Sequence, residues 1–318
     1  MRGLSGTTAI TARQRAGFGW RREWPTWALL VLVYGGWIWL TAAYDGNPVW
    51  ITLPVLAVLT ALHGSLQHEL LHGHPSRWQG LNDVMAWPPL AIWLPYLVYR
   101  DSHLAHHRDD NLTDPYDDPE SYYLDRDRYA RLGPAARMVL KANNSLAGRL
   151  LIGPPLQTAV AWIAGARAVA AGDRRQLGIW ASHLLGLALL ALWLSFVGMP
   201  IWVYVLFVAY PGIALVLIRS FAEHRAVANI DQRTAIVEAG WFFRLLFLNN
   251  NFHVTHHARP ELPWPEVSQS YWANREQILV VNGGYVMAGY GDLFRRYLMR
   301  PKEPVAYPLR CRRSGIGR

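Results

Sequence analysis

The chain is poor in thiols and poor in charge. Cys311 is the only cysteine among 318 residues. That excludes a disulfide framework within the chain, and it leaves too few thiolates for an iron–sulfur cluster or a rubredoxin-type iron of its own. Charged residues make up only 17% of the sequence, against roughly 25% in an average soluble domain. The charge that remains is positive on balance, +9. In so apolar a chain a basic excess fits a membrane surface rather than nucleic acid. No internal repeat is visible.

What fills the sequence instead is apolar and aromatic. Hydrophobic residues reach 52%, with 16 Trp and 15 Tyr, residue types that favour membrane–water interfaces. Four runs, 25–44, 47–67, 177–197 and 201–218, approach or exceed the roughly 20 apolar residues needed to cross a bilayer. The short connections 44–48 and 198–200 carry no Lys or Arg, whereas Arg13, Arg15, Arg21, Arg22, Arg174, Arg175, Arg219 and Arg225 flank the opposite ends. Basic flanks stay on the cytoplasmic side. The expected fold is therefore all-α: a membrane bundle of four transmembrane helices in two hairpins, with a helical cap, both termini and the large middle segment cytoplasmic.

Two shorter apolar pieces read differently. Residues 84–99 contain Pro88, Pro89 and Pro95 and are expected to lie in the interface or to dip in and return. Residues 150–166 begin with Pro154 and Pro155 close by and are too short and broken to count as a span. The chain divides into a basic N-terminal segment (1–24), a membrane domain (25–299) and a basic C-terminal tail (300–318) that is either disordered or laid on lipid headgroups.

Twelve histidines are present, and most are clustered. HELLH (68–72) places His68 and His72 four residues apart. HLAHH (103–107) and HVTHH (253–257) contribute His103, His106 and His107, then His253, His256 and His257. His224 follows the fourth run alone. Positions i, i+3 and i+4 share one helix face, so each HxxHH aims three imidazoles one way. All nine fall at or beyond the cytoplasmic ends of the spans. HELLH by itself fits a zinc metalloprotease helix with Glu69 as general base, but that reading leaves seven histidines unused. A catalytic zinc takes three protein ligands and a structural one four. Nine neutral nitrogen donors without a thiolate suit two metal ions of higher coordination, read here as a pair of irons poised for O₂ chemistry. His63, His74 and His183 belong to no cluster: His183 is expected to hydrogen-bond within the bundle, and His74 to sit in a loop.

HELLHGH, HLAHH and HVTHH, in this order with hydrophobic hairpins between them, resemble the three histidine boxes of the integral-membrane fatty acid desaturase superfamily, which also holds alkane and acyl hydroxylases and carotenoid ketolases and hydroxylases. The resemblance spans about residues 25 to 265. It implies that the nine histidines are ligands of two iron ions, with His224 matching the isolated histidine between the second and third boxes. The wording DDNLTDPYDDPES after the second box is closer to bacterial acyl desaturases than to carotenoid enzymes. The implied protein is an O₂-dependent acyl-lipid desaturase of the bacterial inner membrane, with hydroxylation or ketolation of an alkyl, acyl or terpenoid lipid as the alternative. A metal-binding or transport protein without enzymatic activity fits less well, because the clusters sit outside the spans rather than along a pathway within them.

Metal-bound imidazoles usually donate their other N–H to a carboxylate or carbonyl. Glu69, Asp101, Asp114, Glu223 and Asn250 are candidates for that role, with Asp109, Asp110, Asp117, Asp118 and Glu261 also near the boxes; Asn249, Asn250 and Asn251 could equally hold a water or cap a helix. Trp87, Trp93, Trp241 and Phe242 are candidates to line an acyl channel or to form an interfacial belt. With no cytochrome b5 motif and no dinucleotide fingerprint in VNGGYVMAGYG, reducing equivalents are expected from a separate ferredoxin or similar carrier with its reductase. The other expected partners are the lipid substrate and the surrounding membrane lipids, with no nucleic acid.

Overall fold

The computed structural model describes residues 19–311. Arg13 and Arg15 of the basic N-terminal segment, and Arg312 and Arg313 of the tail, lie outside the described residues. Among the described residues, four helices are long and apolar enough to cross a membrane, at the places the apolar runs predict. They are Trp20–Ala42, Val49–Leu71, Arg174–Phe196 and Ile201–Glu223. Local signals mark the boundaries of the last three. Pro48 precedes the second helix, Asp173 caps the third by accepting the Gln176 N–H, and Gly198 (φ 74°) with Pro200 turns the chain into the fourth. The fourth contains a π-helical turn at Val205–Ala209. Pro211 follows, whose ring removes an amide and crowds the carbonyl four residues back; a widened turn accommodates both.

The second span is the most buried of the four and lies between the first and the fourth. Tyr34 Oη stands 3.0 Å from His63 Nε2, and Trp37 Nε1 donates to Tyr204 Oη at 3.1 Å. Small residues bring the second and fourth spans together: a Cβ on Gly64 would meet Val216 at 3.3 Å, and one on Gly212 would meet Thr60 at 2.8 Å. Thr60 with Gly212 and Gly64 with Val216 fix these two helices as parallel. Both therefore deliver their C-terminal ends, Leu71 and Glu223, to one face of the bundle. Leu56, Leu66, Leu70, Val208, Ile218 and Phe221 fill the space between them.

Residues 84–99 form no continuous helix. The Gln79–Ala86 helix gives way to an irregular stretch that ends at Pro95, where Tyr96–His106 begins. Side chains of the bundle satisfy its backbone: Gln67 donates to the Ala86 carbonyl at 2.7 Å, Tyr204 to Leu90 at 2.8 Å and Trp162 to Trp93 at 2.8 Å. Irregular backbone buried in protein in this way is what a bilayer tolerates. Residues 150–166 fall on Leu146–Leu151 and Gly153–Ala170. Pro154 and Pro155 lie in the first turn of the latter, where a missing N–H costs little.

Beyond the fourth span the chain forms short helices and one two-stranded parallel ladder, Ile236–Val237 with Val286–Met287. The segment after Arg300 differs from the expected tail as far as Cys311. Leu124 pairs with Ala306, Tyr307 is buried, and Lys302 is drawn inside the fold by three backbone carbonyls.

Candidate metal centre

Four elements converge beside the ends of the second and fourth spans. The second span supplies His68 in its last turn and His72 just past its end. The Tyr96–His106 helix supplies His103, His106 and the following His107. His224 leaves the fourth span in extended conformation. The His253–Ala258 helix supplies His253, His256 and His257. The nine rings form two groups: His68, His72, His103, His107 and His256 in one, and His106, His224, His253 and His257 in the other. Within each group one nitrogen per ring lies within 4.8 Å of all the others. Six of the nine are buried; His72, His107 and His257 form a half-buried rim.

The ring nitrogens meet at contact distance. Nε2 of His107 is 3.0 Å from Nε2 of His103 and 3.0 Å from that of His256. In the second group, Nε2 of His224 is 3.2 Å from that of His106 and 3.1 Å from that of His253, which is 3.2 Å from that of His257. Burial and the neighbouring imidazoles hold His107 down to about 2 and push His72, His224, His253, His256 and His257 well below the ordinary histidine range. His106 and His253 donate their Nδ1–H groups outward, so when these rings are neutral their Nε2 atoms offer lone pairs to the cluster, where a cation can accept them. Two ligands at right angles, each about 2.1 Å from one ion, are about 3.0 Å apart, so the observed separations fit metal binding. The His72 Nε2 atom is buried and has no hydrogen-bond partner in the protein, as a nitrogen reserved for a metal would be.

Several outward-facing Nδ1 atoms are anchored. His106 donates to Asp118 at 2.8 Å, both side chains being nearly inaccessible. Burial works against a charged ring there, but the Asp118 hydrogen bond and charge outweigh it and raise the His106 pKa. Asp118 is itself held by the backbone N–H groups of Thr113 (2.7 Å) and Glu120 (2.9 Å). His103 contacts Glu120 at 3.1 Å; burial would raise that carboxyl, yet the contact with His103, with His106 and Arg219 nearby, brings it down to about 2. His253 donates to Asn250 Oδ1 at 2.9 Å, and the Asn250 amide nitrogen lies 3.3 Å from His68 Nε2, so this side chain stands between the two groups.

The other carboxylates expected to contact ligands are placed differently. Glu223 is an electrostatic neighbour, 3.5 Å from His253 Nδ1 and 3.4 Å from Arg219. Glu69 is buried and accepts the Trp264 backbone N–H at 2.7 Å, so it holds the start of the Trp264–Ala273 helix rather than an imidazole. Asp101 pairs with Arg100 and Arg175. Asp114 caps the turn to Tyr116. Asn249 and Asn251 bond backbone carbonyls of Trp264 and Val237. Glu120 was not among the sequence candidates, although it lies in the same DDPES string as Asp118.

The unclustered histidines lie apart from these groups. His74 faces Glu23 at 3.0 Å, and His183 packs among Trp162 and Trp180. Trp87 donates to Ser182 at 2.8 Å, while Trp241 and Phe242 are exposed, a placement that fits an interfacial belt. An apolar groove of about 790 Å³ runs between the second and fourth spans, lined by Leu53, Ala57, Phe207, Pro211, Leu215 and Ile218 among others.

No curated protein matches this sequence closely enough to count as a relative. The fatty acid desaturase family matches residues 46–288, a stretch that holds all nine clustered histidines and three of the four apolar spans. A family of oxidoreductases, four helices suited to a bilayer and a two-part imidazole cluster at one end of the bundle agree with one another: the chain is an integral membrane protein and belongs to the fatty acid desaturase family.

Proposed function

We propose that this chain is an O₂-dependent desaturase of acyl lipids whose nine clustered histidines hold two iron ions. The observation that carries the reading is the division of the nine imidazoles into groups of five and four with donor separations suited to metal. Iron bound there would supply activation of O₂ and removal of hydrogen from an unactivated C–H bond.

The protein's part is to hold donors neutral, to aim them and to exclude water. Burial disfavours the protonated form of His72, His107, His224, His253, His256 and His257, and metal binding requires neutral rings. Asp118, Glu120 and Asn250 fix ring orientation from outside, a role that tunes ligand basicity as well as geometry. Asp118 and Glu120 also bring negative charge beside a site that takes up cations. An acyl chain is positioned by apolar contact alone. The groove between the second and fourth spans offers a lining almost without polar surface, and it reaches Ile218 in the final turns of the helix that ends beside His224. Carbon position relative to the metals decides between loss of a second hydrogen and return of a hydroxyl group. The string DDNLTDPYDDPES favours desaturation. The basic flanks support a metal site on the cytoplasmic side, in keeping with an enzyme of the bacterial inner membrane that takes electrons from a separate ferredoxin-type carrier.

The test is gas chromatography–mass spectrometry of total fatty acids from a bacterium expressing the chain with a ferredoxin system, beside His256→Ala. A new unsaturated acyl species, absent from the variant, is the expected result. A hydroxylated product would keep the metal centre and replace the reaction. Identical lipids in both strains, with the redox partner shown to be functional, would remove acyl lipids as the substrate.

A further inference from the structure

His224 is held differently from His103, His106 and His253. His103, His106 and His253 have their Nδ1 atoms fixed by Glu120, Asp118 and Asn250 at 2.8–3.1 Å. The nearest partner of His224 Nδ1 is Thr234 Oγ1 at 3.5 Å, beyond the range of a good hydrogen bond. Nor does His224 sit on a helix with a second clustered histidine; it is the first residue past the fourth span, at φ −129°, ψ 156°. Its ring direction is therefore set by its backbone.

That backbone is gripped from the far end of the sequence. A helix leaves its last carbonyls without partners. Here Lys302 Nζ donates to the carbonyls of Phe221 (2.7 Å), Ala222 (3.3 Å) and His224 (2.6 Å). Tyr285 Oη adds a bond to Ala222 O at 3.2 Å, Tyr122 Oη one to His224 O at 3.0 Å, and the Ala235 N–H takes the Glu223 carbonyl at 2.8 Å. A cation at a helix C-terminus also meets the negative end of the helix dipole. The ammonium lies among the rings of Tyr122, Phe221 and Tyr285. Its own segment is docked by Lys302 N–H to Asn144 O (2.8 Å) and by the bridge between Leu124 and Ala306.

We propose that Lys302 is the positioning residue for His224, so that the C-terminal segment is part of the metal centre's frame although it supplies no ligand. The inference rests on the di-metal reading above and assigns a function to a residue that reading does not use. Replacing Lys302 by Met keeps the stem and removes the three bonds. Phe221 O is then left with no side-chain donor, and His224 O keeps only the Tyr122 phenol, so the exit angle of His224 is less firmly held.

The experiment follows release of Fe(II) from anaerobically loaded, detergent-purified full-length chain to a ferrous chelator. It compares wild type, Lys302→Met, Lys302→Arg and His224→Ala, with thermal unfolding of each as a check on folding. Wild type is expected to hold two irons. In Lys302→Met, one of the two leaves about 10–100-fold faster, the range typical of lost outer contacts to a metal site. His224→Ala labels that same iron, and Lys302→Arg recovers slow release. Two irons in wild type with unaltered release from Lys302→Met would overturn the inference and leave the di-metal reading standing. A wild type that holds no iron would overturn both. Should Lys302→Met not fold, Tyr122→Phe, which removes the phenol from the same carbonyl, gives the deciding rate: faster loss of one iron supports the proposal, and no change refutes it.

Discussion

Asp118 carries more of the candidate site than its place in an acidic loop suggests. Its two oxygens take the His106 Nδ1–H and the backbone N–H groups of Thr113 and Glu120, so one carboxylate both folds the loop and aims a ring. Bonds to an ionised acceptor are roughly twice as strong as neutral ones. Asp118→Asn presents an amide N–H to at least one of these donors. The expected outcome is a loss of about 10–100-fold in affinity for the metal of the four-histidine group, measured by competition with a chelator. Asp101→Asn is the contrasting change, because Asp101 pairs with Arg100 and the exposed Arg175. Exposed pairs of this kind contribute about 0–1 kcal/mol, and metal affinity should stay within about twofold of wild type.

At the scale of elements, the spans bring the first and isolated histidines together only if they pack at the observed depth. Gly212 is a point of close approach between the second and fourth spans, with Thr60 Cγ2 2.8 Å and the Ala57 carbonyl 3.2 Å from the position of an added Cβ. Close packing of small residues is a main source of helix association in lipid. Gly212→Val should push the helices apart at a cost of roughly 1–3 kcal/mol, read as a lowered Tm in detergent, and Thr60→Ser in the same chain should recover part of it by removing the methyl group. These contacts also mark what the sequence could and could not disclose. The four spans are legible because a bilayer demands long apolar runs, and the histidine boxes because ring spacing matches helix spacing. The pairing of Gly212 with Thr60, the Glu120 contact to His103 and the Lys302 cap on the fourth span are contacts between distant residues or loop turns, and no local pattern announces them. The C-terminal segment is the clearest case: a basic string with no apolar period reads as a tail, yet one lysine finds four residues' worth of helix end to bind.

For the molecule as a whole, the two imidazole groups act as fasteners between elements that otherwise share little packing. The five-histidine group joins the second span, the Tyr96–His106 segment and the His253–Ala258 helix; the four-histidine group joins the last two to the end of the fourth span. A metal that binds only the folded arrangement stabilises it by mass action, and without it the ring nitrogens of the cluster crowd one another at 3.0–3.2 Å. Chelation should therefore lower Tm and speed amide exchange in residues 96–107 and 253–258 while the four spans stay protected. The metal-free protein should also be acid-sensitive in a defined direction. His72, His107, His224, His253, His256 and His257 are depressed by burial below the usual pKa of about 6.5. Below that value the unfolded chain takes up protons that the folded chain refuses. Stability is then complete above about 6.5 and falls as pH drops towards the depressed values. His106 and His74, raised against their burial by Asp118 and Glu23, work the other way, but they are two groups against six. Thermal unfolding of the chelated protein across pH 8 to 5 should show Tm nearly flat above about 6.5 and declining below it. A Tm independent of pH down to 5 would mean that the rings are not held neutral, and with that the physical basis for reading them as metal donors would be lost.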